Sequence, residues 1–251
     1  MNNYIGSFAR MEKKYILDRK TMTEFLARIS EDIEFDSYPK SIINSIYFDT
    51  EDDKLIRRSL EKPYYKEKLR LRTYTGIVDD KTQAFAEIKK KVDGIVYKRR
   101  ITGEYGPLKA WLSGEGTAPN GGQIAKEIGY LPRFYGKMVP AMQIVYRRDS
   151  FVAQEDHELR ITFDTDVIWR NWKLKEDGNA YGFRLIPEDT VLMEVKASGK
   201  TIPLWLIRAI EEYEILPSSV SKYGEAYRIT KEAAGETVPG TKEKVRFNNY
   251  V

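Results

Sequence analysis

The chain has 251 residues, enough for one large core, and 41% apolar with 12% aromatic residues place it among ordinary globular proteins, not disordered or fibrous ones. It has no Cys and a single His, His157, which excludes disulfides, thiolate zinc sites and a cysteine nucleophile and removes almost all histidine metal and Ser-His-Asp chemistry. Because 42 Lys+Arg nearly cancel 38 Asp+Glu, the net charge of +4 says little, and the placement of charge along the chain carries the information.

A first strand is expected at 8–17. "TMTEFLARI" follows, with Thr21 and Glu24 at capping-box spacing and Phe25, Leu26 and Ile29 on one face, which predicts a helix packed on a sheet. Next come a strand at 41–49, a short helix at 53–60 and strands at 64–75, 82–92 and 95–103, with Asp93-Gly94 as a hairpin signal between the last two. "SGEGTAPNGG" (113–122) has neither Walker nor Rossmann spacing and reads as a plain connection. Strands at 141–153, 158–169 and 190–197 and helices at 203–215 and 219–232 complete the pattern, and His157 falls in a polar hairpin connection. The segment 233–251 lacks periodicity and reads as a tail after one domain, 1–232. Strands joined by hairpins without βαβ alternation predict an α+β, mainly antiparallel sheet or barrel with helices outside. No run approaches the roughly 18 apolar residues of a membrane span, and "MNNYIGSFARMEKK" lacks the apolar middle of a secretory signal. A cytoplasmic chain that does not itself span a membrane is expected.

The strands carry an unusual row of charges. In "KEKLRLRT", Lys66, Lys68, Arg70 and Arg72 share one face and Leu69 and Leu71 take the other. Glu12 and Lys14, then Glu87, Lys89 and Lys91, then Arg160 and Thr162, then Glu194 and Lys196 repeat the arrangement in other strands. Two cations about 7 Å apart repel by about 2 kcal/mol at an effective dielectric near 20, so an anion should offset the sum. If the sheet curls, such a face lines a lumen suited to a multiply charged linear anion. Glu12, Glu87 and Glu194 are hard oxygen ligands that suit Mg²⁺ or Mn²⁺, which needs only one or two carboxylates when phosphates complete its shell. Nucleic acid is not expected, because the basic rows are largely free of aromatic stacking platforms. Lys66 and Lys68 are left at the mouth or in solvent, and Lys90, Lys91 and Arg99 fit either face.

The ordered set "RMEKKY", "YFDT", "KLRLRTY", "FAEIKKK", "VYKRR", "VYRRDSF", "LRITFDTD", "LMEVKA" and "SKYGEAY" resembles the triphosphate tunnel metalloenzymes, and more narrowly their polyphosphate polymerase (vacuolar transporter chaperone catalytic) domains. The resemblance covers about residues 8–230. It implies an eight-stranded antiparallel β-tunnel with flanking helices, in which the γ-phosphoryl of ATP extends an inorganic polyphosphate chain with help from a divalent metal, Mn²⁺ or Mg²⁺. Carried over by motif, Lys14, Arg70, Arg72, Lys89, Lys98, Arg148 and Arg160 hold phosphates, and Lys196, Ser221 and Lys222 join them. Glu194 is the principal metal ligand, with Glu12 beside it; Lys14, Arg70, Arg72, Arg148 and Glu194 carry catalysis. The partners implied are ATP and polyphosphate, with a membrane partner possible.

The wider superfamily opens with Glu-x-Glu-x-Lys, whereas this chain has Arg10 at the first Glu and matches only Glu12 and Lys14. Loss of a carboxylate disfavours a metal-activated water and favours an anionic phosphate acceptor. A metal-dependent tri- or polyphosphatase and a non-catalytic module binding polyphosphate or inositol polyphosphate are the alternatives.

Overall fold

The computed structural model describes residues 10–93, 95–119, 122–198 and 201–235. Expectations that fall on residues 8–9, Gly94, Asn120, Gly121 and 236–251 of the tail lie outside the described residues, as does the side chain of Arg10. The elements are β1 (Arg10–Asp18), α1 (Arg19–Arg28), β2 (Ile33–Thr50), α2 (Lys54–Leu60), β3 (Tyr65–Thr73), β4 (Gln83–Val92), β5 (Ile95–Glu104), α3 (Tyr105–Leu112), α4 (Gln123–Tyr135), β6 (Met138–Ala153), β7 (Arg160–Arg170), β8 (Phe183–Arg184), β9 (Thr190–Ser198), α5 (Leu204–Glu212), β10 (Leu216–Ser218) and α6 (Lys222–Ala233). The fold is mixed α+β, with ten strands in a mainly antiparallel sheet ordered β10-β1-β9-β7-β6-β2-β3-β4-β5, and β8 added on β7.

All eight expected strands are present, and the short β8 and β10 add to them. The strand path has two ends, β10 and β5, and closure of an eight-stranded barrel is not detected among the described residues. Two helices were missed. α3 reads "YGPLKAWL" and α4 reads "QIAKEIGYLPRFY", and their Gly and Pro residues look like breakers; Pro132 is accommodated in the last turn of α4 while Ala125, Ile128 and Leu131 form its buried face. The start of α1 also differs. Asp18, not Thr21, is the N-cap, and its carboxylate accepts from the Thr21 amide at 2.7 Å, so Thr21 is already in the first turn. β2 begins well before position 41 because its first half is largely exposed, with Phe35 64% and Tyr38 81% accessible, and carries no clean alternation.

The chain divides into two compact units. The first comprises Met1–Ser41, Tyr146–Asp166 and Ile186–Val220. Its core sets the inward residues of β1, β7 and β9 (Tyr15, Leu17, Ile161, Phe163, Met193, Val195) against Phe25 of α1 and Leu206, Ala209 and Ile210 of α5. Phe25 meets Phe163 and Tyr213 edge-on at 6.3 and 6.2 Å. Burying such a ring is worth about 2–3 kcal/mol. The second unit comprises Ile42–Val145, Val167–Leu185 and Ser221–Val251. Here Leu69, Leu71, Ala84, Ala86, Ile88 and Ile101 of β3–β5 pack on Leu108 and Leu112 of α3 and Ile128 and Leu131 of α4. In both units one face of the strands just named packs on this apolar core, so most of their charged residues occupy the opposite face.

Buried polar side chains fix the loops of the second unit. Arg170, with no exposed surface, donates to Gln143, to the carbonyls of Trp172 (2.8 Å), Lys173 (3.1 Å) and Asn179 (3.2 Å), and to Asp177 (3.0 Å), pinning the connection to β8. Asp49 of the "YFDT" motif, also fully buried, accepts from the amides of Thr50, Leu55 and Ile56 at 2.8, 2.8 and 2.9 Å and from the Tyr223 hydroxyl at 3.0 Å. It therefore ties the start of α2 to α6. Removing it strands several buried donors at once. Asp49→Ala is expected to lower the unfolding free energy by about 3 kcal/mol in urea titration; a loss under about 0.5 kcal/mol would contradict this role.

Candidate functional site

In the second unit the charged face of β3, β4 and β5 is ordered in cross-strand rows. Arg72 opposes Phe85, which opposes Thr102; Arg70 opposes Glu87, which opposes Arg100; Lys68 opposes Lys89, which opposes Lys98; Lys66 opposes Lys91, which opposes Val96. Glu87 is 1% exposed and is the hub of the first rows. Arg70 donates to it through Nε at 2.7 Å, with Nη2 at 2.6 Å from the same oxygen, Lys98 Nζ lies 2.6 Å from its other oxygen, and Arg72 Nε stands 3.9 Å away while donating to Ser45 at 3.1 Å. Burial alone would raise the Glu87 carboxyl, but Arg70, Arg72 and Lys98 outweigh it and hold it at about 2. It is a permanent anion facing three cations.

The cation excess acts on its neighbours. Lys98 shows 43% of its side chain to solvent, yet the protein packed around it and the charges of Arg70 and Arg72 dominate over Glu87 and bring it down to about 8. Burial pushes the Tyr47 phenol up, but Arg70, Arg72 and Lys68, with a hydrogen bond from Arg70 at 3.3 Å, bring it down to about 8. Tyr47 also stacks on Tyr223 at 4.4 Å. Ser221 is the N-cap of α6, accepting from the Gly224 amide at 3.3 Å and from Lys68 Nζ at 3.1 Å, while Lys68 lies 5.8 Å from the Tyr223 ring centre. Lys68, left out of the site on sequence grounds, thus belongs to the constellation; Ser221 was its detectable partner only once α6 was placed. Lys222 is the first residue of α6 and half-buried, and Lys89 stands between Lys68 and Lys98. Arg99 and Lys90, in contrast, face α4 and pair with Glu127 at 2.9 and 3.6 Å, which makes them structural.

The first unit carries a separate constellation on β1, β6, β7 and β9. Lys14 opposes Glu194, which opposes Thr162; Glu12 opposes Lys196, which opposes Arg160. Lys196 Nζ lies 3.2 Å and Arg148 Nη2 3.8 Å from Glu194, and Lys14 Nζ lies 3.5 Å from Glu12 and 3.4 Å from the Val220 carbonyl. Burial would raise the Glu194 carboxyl, but the charges of Lys196, Lys14 and Arg148 hold it far below the usual carboxylate range. Lys196 is pushed down by burial, against the pull of Glu194. Arg148 grips the buried Asp164 with Nε and Nη2 at 2.6 and 2.8 Å, a bidentate pair that fixes its plane. Arg160 is half exposed and bonds Asp36 at 3.0 Å, a partner hidden from sequence reading because that part of β2 was not expected to be a strand.

No cluster of three or more acidic or histidine side chains able to cage a metal occurs among the described residues. Glu12 and Glu194 supply two hard-oxygen ligands side by side, and the buried Thr162 hydroxyl, paired across from Glu194, has no hydrogen-bond partner. This donor set suits Mg²⁺ or Mn²⁺ carried in with phosphate oxygens, and not an all-protein cage.

The state of Tyr47 gives a direct optical check. Phenolate absorbance should titrate with a midpoint near pH 8, and Arg70→Ala should move that midpoint up toward the ordinary value near 10. An unshifted phenol in the parent protein would contradict the described cation cluster.

The family model described as the VTC domain matches residues 9–231. The chain is 24% identical over 270 residues to vacuolar transporter chaperone complex subunit 4 of Schizosaccharomyces pombe, covering 87% of this chain and 36% of that protein, so it spans about a third of the relative's length. Its fold is similar to the crystal structure of a candidate adenylate cyclase from Bacillus halodurans, with a TM-score of 0.54, 11% identity and coverage of 85% of this chain and 95% of that one. A candidate adenylate cyclase from Vibrio parahaemolyticus matches at a TM-score of 0.46 with 13% identity over 88% of this chain and 99% of that one. At these identities the likeness is one of fold. The family model bears out the resemblance read from the ordered motifs, and since it spans nearly all of the described residues, the chain belongs to the VTC domain family.

Proposed function

We propose that this chain is a polyphosphate polymerase, transferring the γ-phosphoryl group of ATP to a growing inorganic polyphosphate chain. The observation that carries the reading is the ratio of charges at Glu87: one buried carboxylate serves Arg70, Arg72 and Lys98, with Lys68 and Lys89 in the adjoining row. The surplus of positive charge is suited to a ligand with several negative charges close together, as in a triphosphate or a polyphosphate end. Barrel closure into a tunnel is part of this proposal and rests on the family resemblance.

In the reaction, a terminal oxygen of the polyphosphate chain attacks the γ-phosphorus, a new P–O–P bridge forms, and the bond from the γ-phosphorus to the β–γ bridging oxygen breaks to release ADP. The attacking oxygen is already ionised, so no base is needed, which fits a chain with a single histidine that lies exposed beside Glu34. Arg70, Arg72 and Arg148 bind and orient phosphoryl oxygens and neutralise charge that grows on them, the arginines through fixed forks and Lys14, Lys89, Lys98 and Lys196 as point charges. Arg160, Ser221 and Lys222 complete the proposed phosphate contacts. Glu194, with Glu12, would hold Mn²⁺ or Mg²⁺, which when bound withdraws charge from phosphate oxygens. Asp164 keeps Arg148 oriented. The S. pombe relative is named as a subunit of a complex, and a membrane partner for this chain is part of the proposal; no helix among the described residues is long and apolar enough to cross a membrane. A cytoplasmic location remains part of the proposal.

Incubation with ATP and Mn²⁺ should yield long polyphosphate and ADP in equal phosphoryl equivalents. Glu194→Ala and Arg72→Ala should each reduce the rate by about 100-fold or more with the fold retained by circular dichroism. Orthophosphate as the sole product would move the assignment to a tri- or polyphosphatase, and binding without turnover would leave a polyphosphate-binding module.

A further inference from the structure

The charged face of β3–β5 changes character at one end. There the side chains are aromatic: Phe85, directly opposed to Arg72, and Tyr74, two residues beyond Arg72 along the chain. The two rings meet edge-on, with centres 5.5 Å apart and planes at 80°. The guanidinium of Arg100, which is opposed to Glu87 in the neighbouring row, lies 4.9 Å from the centre of the Phe85 ring. Glu87 is engaged by Arg70 and Lys98, and among the described residues no carboxylate forms an ion pair with Arg100. Phe85 is half-buried, Arg100 is exposed and Tyr74 keeps 43% of its surface accessible, so ring area is left for a planar ligand. The corner is also held in place: Tyr74 follows the buried Thr73, the last residue of β3, and the Gly76 carbonyl accepts from the Ala180 amide at 2.9 Å, which anchors the loop. Aromatic rings and guanidinium planes are the usual stacking partners of nucleobases. A phosphate chain has no π-face and makes no use of such a corner.

We propose that Tyr74, Phe85 and Arg100 form the base-binding subsite for the nucleoside triphosphate donor. The base lies against this corner, and the triphosphate runs from Arg72 toward Arg70 and Lys98. This rests on the polymerase reading above and adds to it the direction in which the donor lies. Rows two residues apart on a strand are about 7 Å apart, so the step from Arg72 to Tyr74 leaves room for the ribose between the first phosphate and the base. The γ-phosphoryl group then points away from the aromatic end, and the in-line acceptor meets it from the opposite side. Stacking tolerates any base but rewards the larger surface, so ATP and GTP should bind more tightly than CTP and UTP. The other end of β3 offers less: Tyr64 is 70% exposed, but among the described residues no ring pair or cation–π contact involves it.

The test is equilibrium binding of ATP and of inorganic tripolyphosphate, in EDTA to prevent turnover, to the full chain and its variants. Tyr74→Ala should weaken ATP about fivefold or more and keep tripolyphosphate within about twofold of the parent, because the ring serves the base alone. Tyr74→Phe, which retains the ring, should bind ATP within about twofold of the parent. Phe85→Leu, with its fold checked by thermal unfolding, should act in the same direction as Tyr74→Ala, and Tyr64→Ala should change neither ligand. Equal losses of both ligands in Tyr74→Ala, or no loss of ATP, would overturn the subsite and leave the polymerase reading in place. A selective loss of ATP in Tyr64→Ala instead would overturn it in favour of the reverse orientation. If the parent binds neither ligand, both readings are overturned. Orthophosphate as the sole product of ATP turnover, together with the selective Tyr74→Ala loss, would overturn the polymerase and support the subsite.

Discussion

Glu87 is the constraint on which the second unit is organised. It sits on the middle strand of the β3–β4–β5 hairpin pair, buried, with Arg70, Lys98 and Arg72 around it at 2.6, 2.6 and 3.9 Å. Without it three cations would repel one another in a site of low dielectric; with it two of them are locked in place and the group still keeps a surplus of positive charge. The other face of the same strands carries Leu69, Leu71, Ala86 and Ile88 of the apolar core, so alternation sets Arg70, Arg72, Glu87 and Lys98 together on the opposite face. Fold and chemistry therefore share one cause, the two-residue period of the strand.

The first unit solves a different problem with the same device. Asp164 is consumed in orienting Arg148, so the carboxylates left to meet a metal or a developing charge are Glu12 and Glu194. Glu194 is kept ionised by Lys196, Lys14 and Arg148 in spite of its burial.

What could be read in the sequence follows that period closely. The rows through Arg70, Arg72, Glu87 and Lys89 were legible because alternation fixes which residues share a face, whereas Lys98 came only from the family resemblance. What could not be read is where a row is covered. Lys68 looks like Lys66 in the sequence, but α6 brings Ser221 to it, a contact 153 positions away. Arg99 and Lys90 were ambiguous because their partner Glu127 lies on α4, a helix concealed by Gly129 and Pro132. Arg160 was expected to face phosphate freely; its partner Asp36 belongs to the exposed half of β2, which carries no strand pattern. The Asp49 hub was likewise invisible, since its role is to accept four hydrogen bonds from residues that sequence spacing does not single out.

The claim beneath all of this is that the clustered cations are incomplete without a multiply charged phosphate ligand. Thermal unfolding with increasing tripolyphosphate, compared with sodium chloride at the same ionic strength, addresses it most directly. The account predicts a saturable rise in the midpoint of about 5 °C or more with tripolyphosphate and little change with chloride. Equal shifts with the two would mean that the cations are merely screened, and would contradict the account.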